Sequence, residues 1–206
     1  MNSKPEKPAS GWSSIRPQLN DWSKPALMAL LKELYDHAAE NRDFLEARFQ
    51  AEDGGGTALE KYRRKIVEQF FPRHGSGIGK LKLGEARKAI RDYRKATGNL
   101  AGTLELMVTY VESGTRFTCE YGDIDEPFYN SLDSVLAERA RLLVKEGAEL
   151  YPRFEERLQQ VEYAASNIGW GYCDSVREQV QMLEATLGVE EESGPPNAPP
   201  IPAPAT

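Results

Sequence analysis

The chain reads as all-α: a compact multi-helix bundle of about seven amphipathic helices, with stacked helix pairs as the alternative arrangement. Three observations lead there. Apolar residues recur at helical spacing from Leu27 to Leu187. Glycines and prolines fall where those stripes stop. No segment alternates apolar and polar residues with the strict period that a half-buried strand needs.

The elements follow in order. Ser23 is placed to cap the first helix, and Pro25 is tolerated in its first turn. Leu27, Leu30, Leu31, Leu34 and Ala38 make its apolar stripe. A continuation over 41–50 carries Phe44, Leu45 and Phe49, and Gly54, Gly55 and Gly56 break it. Thr57 and Glu60 have capping-box spacing and open a helix with Leu59, Tyr62, Ile66 and Phe70, stopped by Pro72. Leu83, Ala86, Ile90 and Tyr93 mark the next, ended by Gly98. Leu100, Leu104, Met107, Val108 and Val111 mark another, expected to end at Gly114. Phe128, Leu132, Val135, Leu136, Leu142 and Leu143 form a long stripe up to Gly147. Leu150, Phe154, Leu158 and Val161 follow; Tyr172, Val176, Val180, Leu183 and Leu187 close the series before Gly188.

Outside these stripes the composition changes. Residues 1–20 mix Pro, Ser, Lys and Gly without periodicity and are expected to be disordered. Residues 189–206 are acidic, then proline-rich, the composition of a solvated tail with polyproline character. A single helical domain over 21–188 lies between them. No run approaches the roughly 18 apolar residues of a membrane helix. The opening MNSKPEKPASGWSS lacks a signal peptide's apolar core, so it is expected to be mature sequence. Cys119 and Cys173 make no disulfide framework, which fits a reducing cytoplasm.

Charge is unevenly spread. The net charge is −6, but residues 61–95 hold 12 Lys/Arg against 3 Asp/Glu. Lys61, Arg64, Lys65, Arg87, Arg91 and Arg94 would form one positive surface if two antiparallel helices carried them, a surface that phosphate backbones favour. The alternative is attraction between this segment and the acidic remainder of the same chain.

Three segments carry candidate chemistry. In RFTCEYGDIDEPFYNS, Asp125 directly precedes a helical stripe, so Asp125, Glu126 and Pro127 are explained as cap and first turn. Asp123 is not, and the calcium-loop glycine is missing. In HGSGIGKLK, residues 74–82, no Ser/Thr follows the Gly-Lys pair, so a nucleotide-triphosphate loop is rejected. In NIGWGYCDSV, Gly169 and Gly171 point to a tight path, with Trp170 as core or interface anchor and Asp174 in a first turn. Arg139 falls among apolar neighbours and is expected to find an ion-pair partner. His37 and His74 belong to no metal-spacing motif, and no cofactor motif is present.

The segments FTCEYGDIDEPFYNS and IGWGYCDS, with KLKLGEARKAIRDYRK upstream, resemble an uncharacterised bacterial family of unknown function. The resemblance covers roughly residues 25–187. It implies a small helical cytoplasmic protein and supplies no catalytic residues.

The function expected from these readings is that of a cytosolic, non-catalytic interaction module with a protein partner. Its contact surfaces would be the basic hairpin and a corner built from Tyr121, Asp123, Asp125, Glu126, Tyr129, Trp170 and Asp174. The alternatives are a nucleic-acid or polyanion binder using the hairpin, and a metal-dependent hydrolase using the acidic corner.

Overall fold

A computed structural model describes residues 11–49, 56–72 and 81–188. The glycine-rich loop with His74 and the proline-rich tail lie outside the described residues, except for the loop's last two positions. Among the described residues the chain is helical without strands. The elements are α1 (Trp12–Asn20), α2 (Lys24–His37), α3 (Ala39–Phe49), α4 (Gly56–Phe70), α5 (Leu83–Thr97), α6 (Leu100–Tyr121), α7 (Glu126–Glu146), a 3-10 turn (Ala148–Arg153), α8 (Glu155–Ala165) and α9 (Tyr172–Leu187). The bundle is built around α6, which packs against α4, α5, α7 and α8.

A helix packed against four others should be apolar over most of its surface, and α6 is buried over most of its length. Its threonines fit because their hydroxyls bond to the preceding turn: Thr103 to Asn99 O, Thr109 to Glu105 O and Thr115 to Val111 O. Entry into α6 is sharp. Gly98 adopts φ 65° and its N–H donates to Arg94 O; the Asn99 side chain then accepts from Gly102 N at 2.8 Å. Leu104, Val135 and Leu158, from three different stripes, are all buried in the shared core. Burial of each such side chain stabilises the fold by about 2 kcal/mol.

Several sequence expectations change. Gly114 does not end α6. It sits mid-helix, where a Cβ would stand 2.3 Å from Leu132 Cδ2, so its bareness lets α7 approach. Of the segment expected to be disordered over 1–20, residues 1–10 lie outside the described residues, and Trp12–Asn20 is helical even with Pro17 inside it. Thr57 lies within the first turn of α4, which already begins at Gly56. Arg139 is 1 % exposed, yet its Nε and Nη1 have no hydrogen-bond partner, and no carboxylate pairs with it among the described residues. Leu132, Val135, Leu136 and Leu143 occupy its face of α7, and burial pulls its pKa down to about 10.

Neither α1 nor α2 buries a residue completely, and α2 packs against α3. Trp12, Trp22, Met28, Leu31, Leu34 and Phe49 are consequently exposed.

Candidate functional site

Gly122 ends α6 with φ 87°, and its N–H donates to Thr118 O. Four residues later α7 begins. Asp125 caps it, its Oδ1 accepting from Phe128 N at 3.0 Å, as its place in the sequence predicts. Glu126 is exposed in the first turn, where an acid favours the helix dipole. Tyr121 is exposed, with its ring 4.7 Å from that of Phe117.

Tyr129 is the buried pivot of this corner. Its hydroxyl donates to Asp123 Oδ1 at 3.1 Å, lies 2.7 Å from Thr118 Oγ1 and accepts from Ile124 N. Burial, with the Asp123 carboxylate adding to it, raises the phenol's pKa and keeps it a donor. The second glycine-rich segment arrives from the end of α8. Tyr172 N donates to Gly169 O, while Trp170 has φ 59° and Gly171 φ 74°. Two consecutive left-handed residues closed by this bond make a turn of type I′. Glycine suits both central positions; tryptophan at the first is strained, and it is the one non-glycine residue with positive φ among the described residues. Gly169 lies beside Asp123, Oδ2 of which is 3.7 Å from where a Cβ would be. Tyr172 is buried, 2.7 Å from Thr115 Oγ1 through its hydroxyl and 5.5 Å from the Tyr129 ring.

The two motifs therefore meet, through Asp123, Tyr129, Trp170 and Tyr172. The remaining acids do not join them. Asp125 is spent on capping, and Asp174 accepts from Arg177 Nη1 in the first turn of α9. Among the described residues no three His, Cys, Asp or Glu side chains converge as a metal site. His37 ends α2, whereas Cys119 and Cys173 belong to α6 and α9.

The basic hairpin is partly consumed by the fold. Lys61 and Lys65 both pair with the buried Asp43 on α3, and Lys61 also reaches Glu46 at 3.0 Å. Burial works against ionisation of Asp43, but the two lysines outweigh it and hold the carboxyl below its ordinary range. Arg94 approaches Glu146 at 3.9 Å. Arg87 is half-buried near Tyr110. Arg64 and Arg91 are exposed and have no carboxylate partner among the described residues.

Sequence reading missed a cleft of about 410 Å³ between α4, α6 and α8, lined by Arg63, Phe71, Glu105, Thr109, Glu112, Ser113, Arg116 and Arg157. Arg157 grips both Glu112 oxygens at 2.7 Å and Glu105 at 2.8 Å; Arg63 reaches the same Glu105 oxygen at 2.9 Å. The fork on Glu112, with Glu105 behind it, raises the guanidinium's pKa against the opposing effect of burial. Both carboxylates of the cleft are thus held by arginine, Glu112 by Arg157 and Glu105 by Arg157 and Arg63. The signal in the sequence was the pair Glu105 and Glu112, two turns apart inside an apolar run.

No family model, curated protein or solved structure gives a significant match to this chain.

Proposed function

We propose that this chain is a cytosolic, non-catalytic helical module that binds a protein partner, with Trp170 as its anchor. One observation carries the reading. Trp170 is 58 % exposed on a strained backbone, stacked on a tyrosine whose hydroxyl is held from three sides. Such strain persists at functional positions, and a rigidly backed tryptophan is the commonest kind of interface hot spot. Asp123 beside it adds a hydrogen-bond acceptor at the rim. The two free cysteines and the absence, among the described residues, of a helix able to cross a membrane accord with a cytosolic setting. The likeness of residues 121–130 and 169–171 to the bacterial family belongs to the same proposal and assigns no reaction.

The test is affinity capture on the full chain, followed by titration of the purified partner. Trp170→Gly should weaken binding at least about tenfold while leaving the fold intact by circular dichroism. A partner that binds this variant as tightly as the wild type sinks the assignment of Trp170. The polyanion alternative rests on Arg64 and Arg91. Heparin retention that falls steeply with salt and disappears in the Arg64→Glu, Arg91→Glu double variant would favour it.

A further inference from the structure

We infer that the groove between α2 and α3 is a self-association surface, and that a second copy of this chain covers it through an antiparallel α2–α2 contact. This lies beyond the Trp170 reading and uses a different face of the molecule.

The starting observation is a concentration of exposed apolar side chains. Of the twelve large hydrophobic residues exposed among the described residues, seven lie between Trp12 and Phe49. The groove itself has a volume of about 450 Å³, with Met28, Leu31 and Tyr35 on one wall and Leu45 and Phe49 on the other. Its floor is fixed: Tyr35 donates to Glu46 Oε1 at 2.8 Å, and Glu46 is also held by Lys61. The groove is thus a formed feature, braced from α4, that leaves Phe49 78 % exposed. Contiguous apolar surface of this kind marks an interaction site.

Charge selects the occupant. Lys24, Met28, Leu31 and Tyr35 follow one another at helical spacing along the open edge of α2. Lys24 stands at the start of the helix and Asp36 near its end, both exposed, and Asp36 is paired with Lys32 of its own helix, which also lines the groove. An antiparallel second copy sets Met28 against the other Leu31, and brings Lys24 to the other Tyr35–Asp36 end. Every contact then occurs twice, as a two-fold interface requires. A parallel copy would place Lys24 on Lys24 and align the helix dipoles unfavourably. The hairpin face, two helices about 20 Å long and about 10 Å apart, offers about 400 Å² per copy. Two such faces bury about 800 Å² in all, below the standard range of specific interfaces. The dimer is therefore weak and concentration-dependent.

Sedimentation equilibrium of the full chain, from about 1 μM to about 500 μM, tests this. The average mass should rise from monomer towards dimer. Leu31→Glu should abolish the rise, because it puts a charge in the seam while changing an already exposed residue. Lys24→Glu should weaken association by about tenfold, and Lys24→Glu combined with Asp36→Lys should restore it. Both charge changes favour the helix dipole, so lost association would not reflect a lost helix. The inference is overturned by a monomer throughout the range, by a dimer indifferent to Leu31→Glu, or by a double variant no tighter than the single. A full chain that is monomeric, but dimerises once residues 189–206 are removed, would assign the groove to the chain's own tail and equally overturn it.

Discussion

The indole of Trp170 stacks over the ring of Tyr129, with centroids 6.4 Å apart and planes 21° from parallel, while its own backbone sits at φ 59°. Two opposing energies meet at one residue: the stack favours the tryptophan and the left-handed backbone disfavours it. Alanine loses the stack and keeps the strain; glycine loses the stack and relieves the strain. Trp170→Gly should therefore be more stable than Trp170→Ala by about 1 kcal/mol. Urea denaturation of the two variants measures the difference directly. Equal midpoints would mean that the turn does not strain its tryptophan.

Gly114 of α6 lies directly against Leu132 of α7. Gly114→Ala gains up to about 1 kcal/mol of helix propensity. It also drives a methyl to within 2.3 Å of a fully buried leucine, and overpacking of this kind costs about 1–3 kcal/mol. The expected result is a net loss of about 1–2 kcal/mol. Leu132→Ala alone should cost about 2–5 kcal/mol. The double variant should be more stable than the sum of the two losses, because the new methyl enters space the leucine has left. Strict additivity in denaturant melts would show that the contact is not shared.

How much of this was legible in the sequence depends on how local the cause is. The stripes of α5, α7 and α9 were readable because each helix buries one face and wets the other. The end of α6 was misread because a glycine after an apolar run looks like a stop, although Glu105, Thr109, Glu112, Arg116 and Glu120 carry one polar face across Gly114. Residues 12–20 were missed because Pro17 interrupts a segment with no buried face. The Asp125 cap was legible, being a bond across three residues. The Arg157 fork was not, because it joins positions 45 and 52 apart in sequence. Periodicity tells which face of a helix is buried; it does not tell which charge waits on the opposite helix.

Alkaline pH should unfold the chain through its buried phenols. Burial raises Tyr62 and Tyr151 to about 12, from an ordinary value near 10. Between those values the unfolded tyrosines have lost their protons and the folded ones have not. The stability they contribute is full below pH 10 and is lost as pH rises through 12, by about 2 kcal/mol for each. Thermal melts between pH 8 and pH 12 should show a midpoint that is flat at first and then falls. A midpoint that rises above pH 10 would contradict the burial of both rings.

Arg139 acts in the opposite direction, which makes it separable. Its pKa is lowered to about 10 by burial, so above pH 10 the folded protein releases a proton that the unfolded chain still binds, and stability rises with pH. At neutral pH the same residue is a charge in the core, with two guanidinium nitrogens unpaired. Methionine fills the same channel with a flexible apolar chain and no desolvation penalty. Arg139→Met should raise stability at pH 7 by about 1–3 kcal/mol. It should also steepen the alkaline loss, because the opposing term has gone and Tyr151 no longer has a cation beside it. A destabilised variant with an unchanged alkaline slope would mean that Arg139 is paired in solution, and that its partner is worth more than the burial costs.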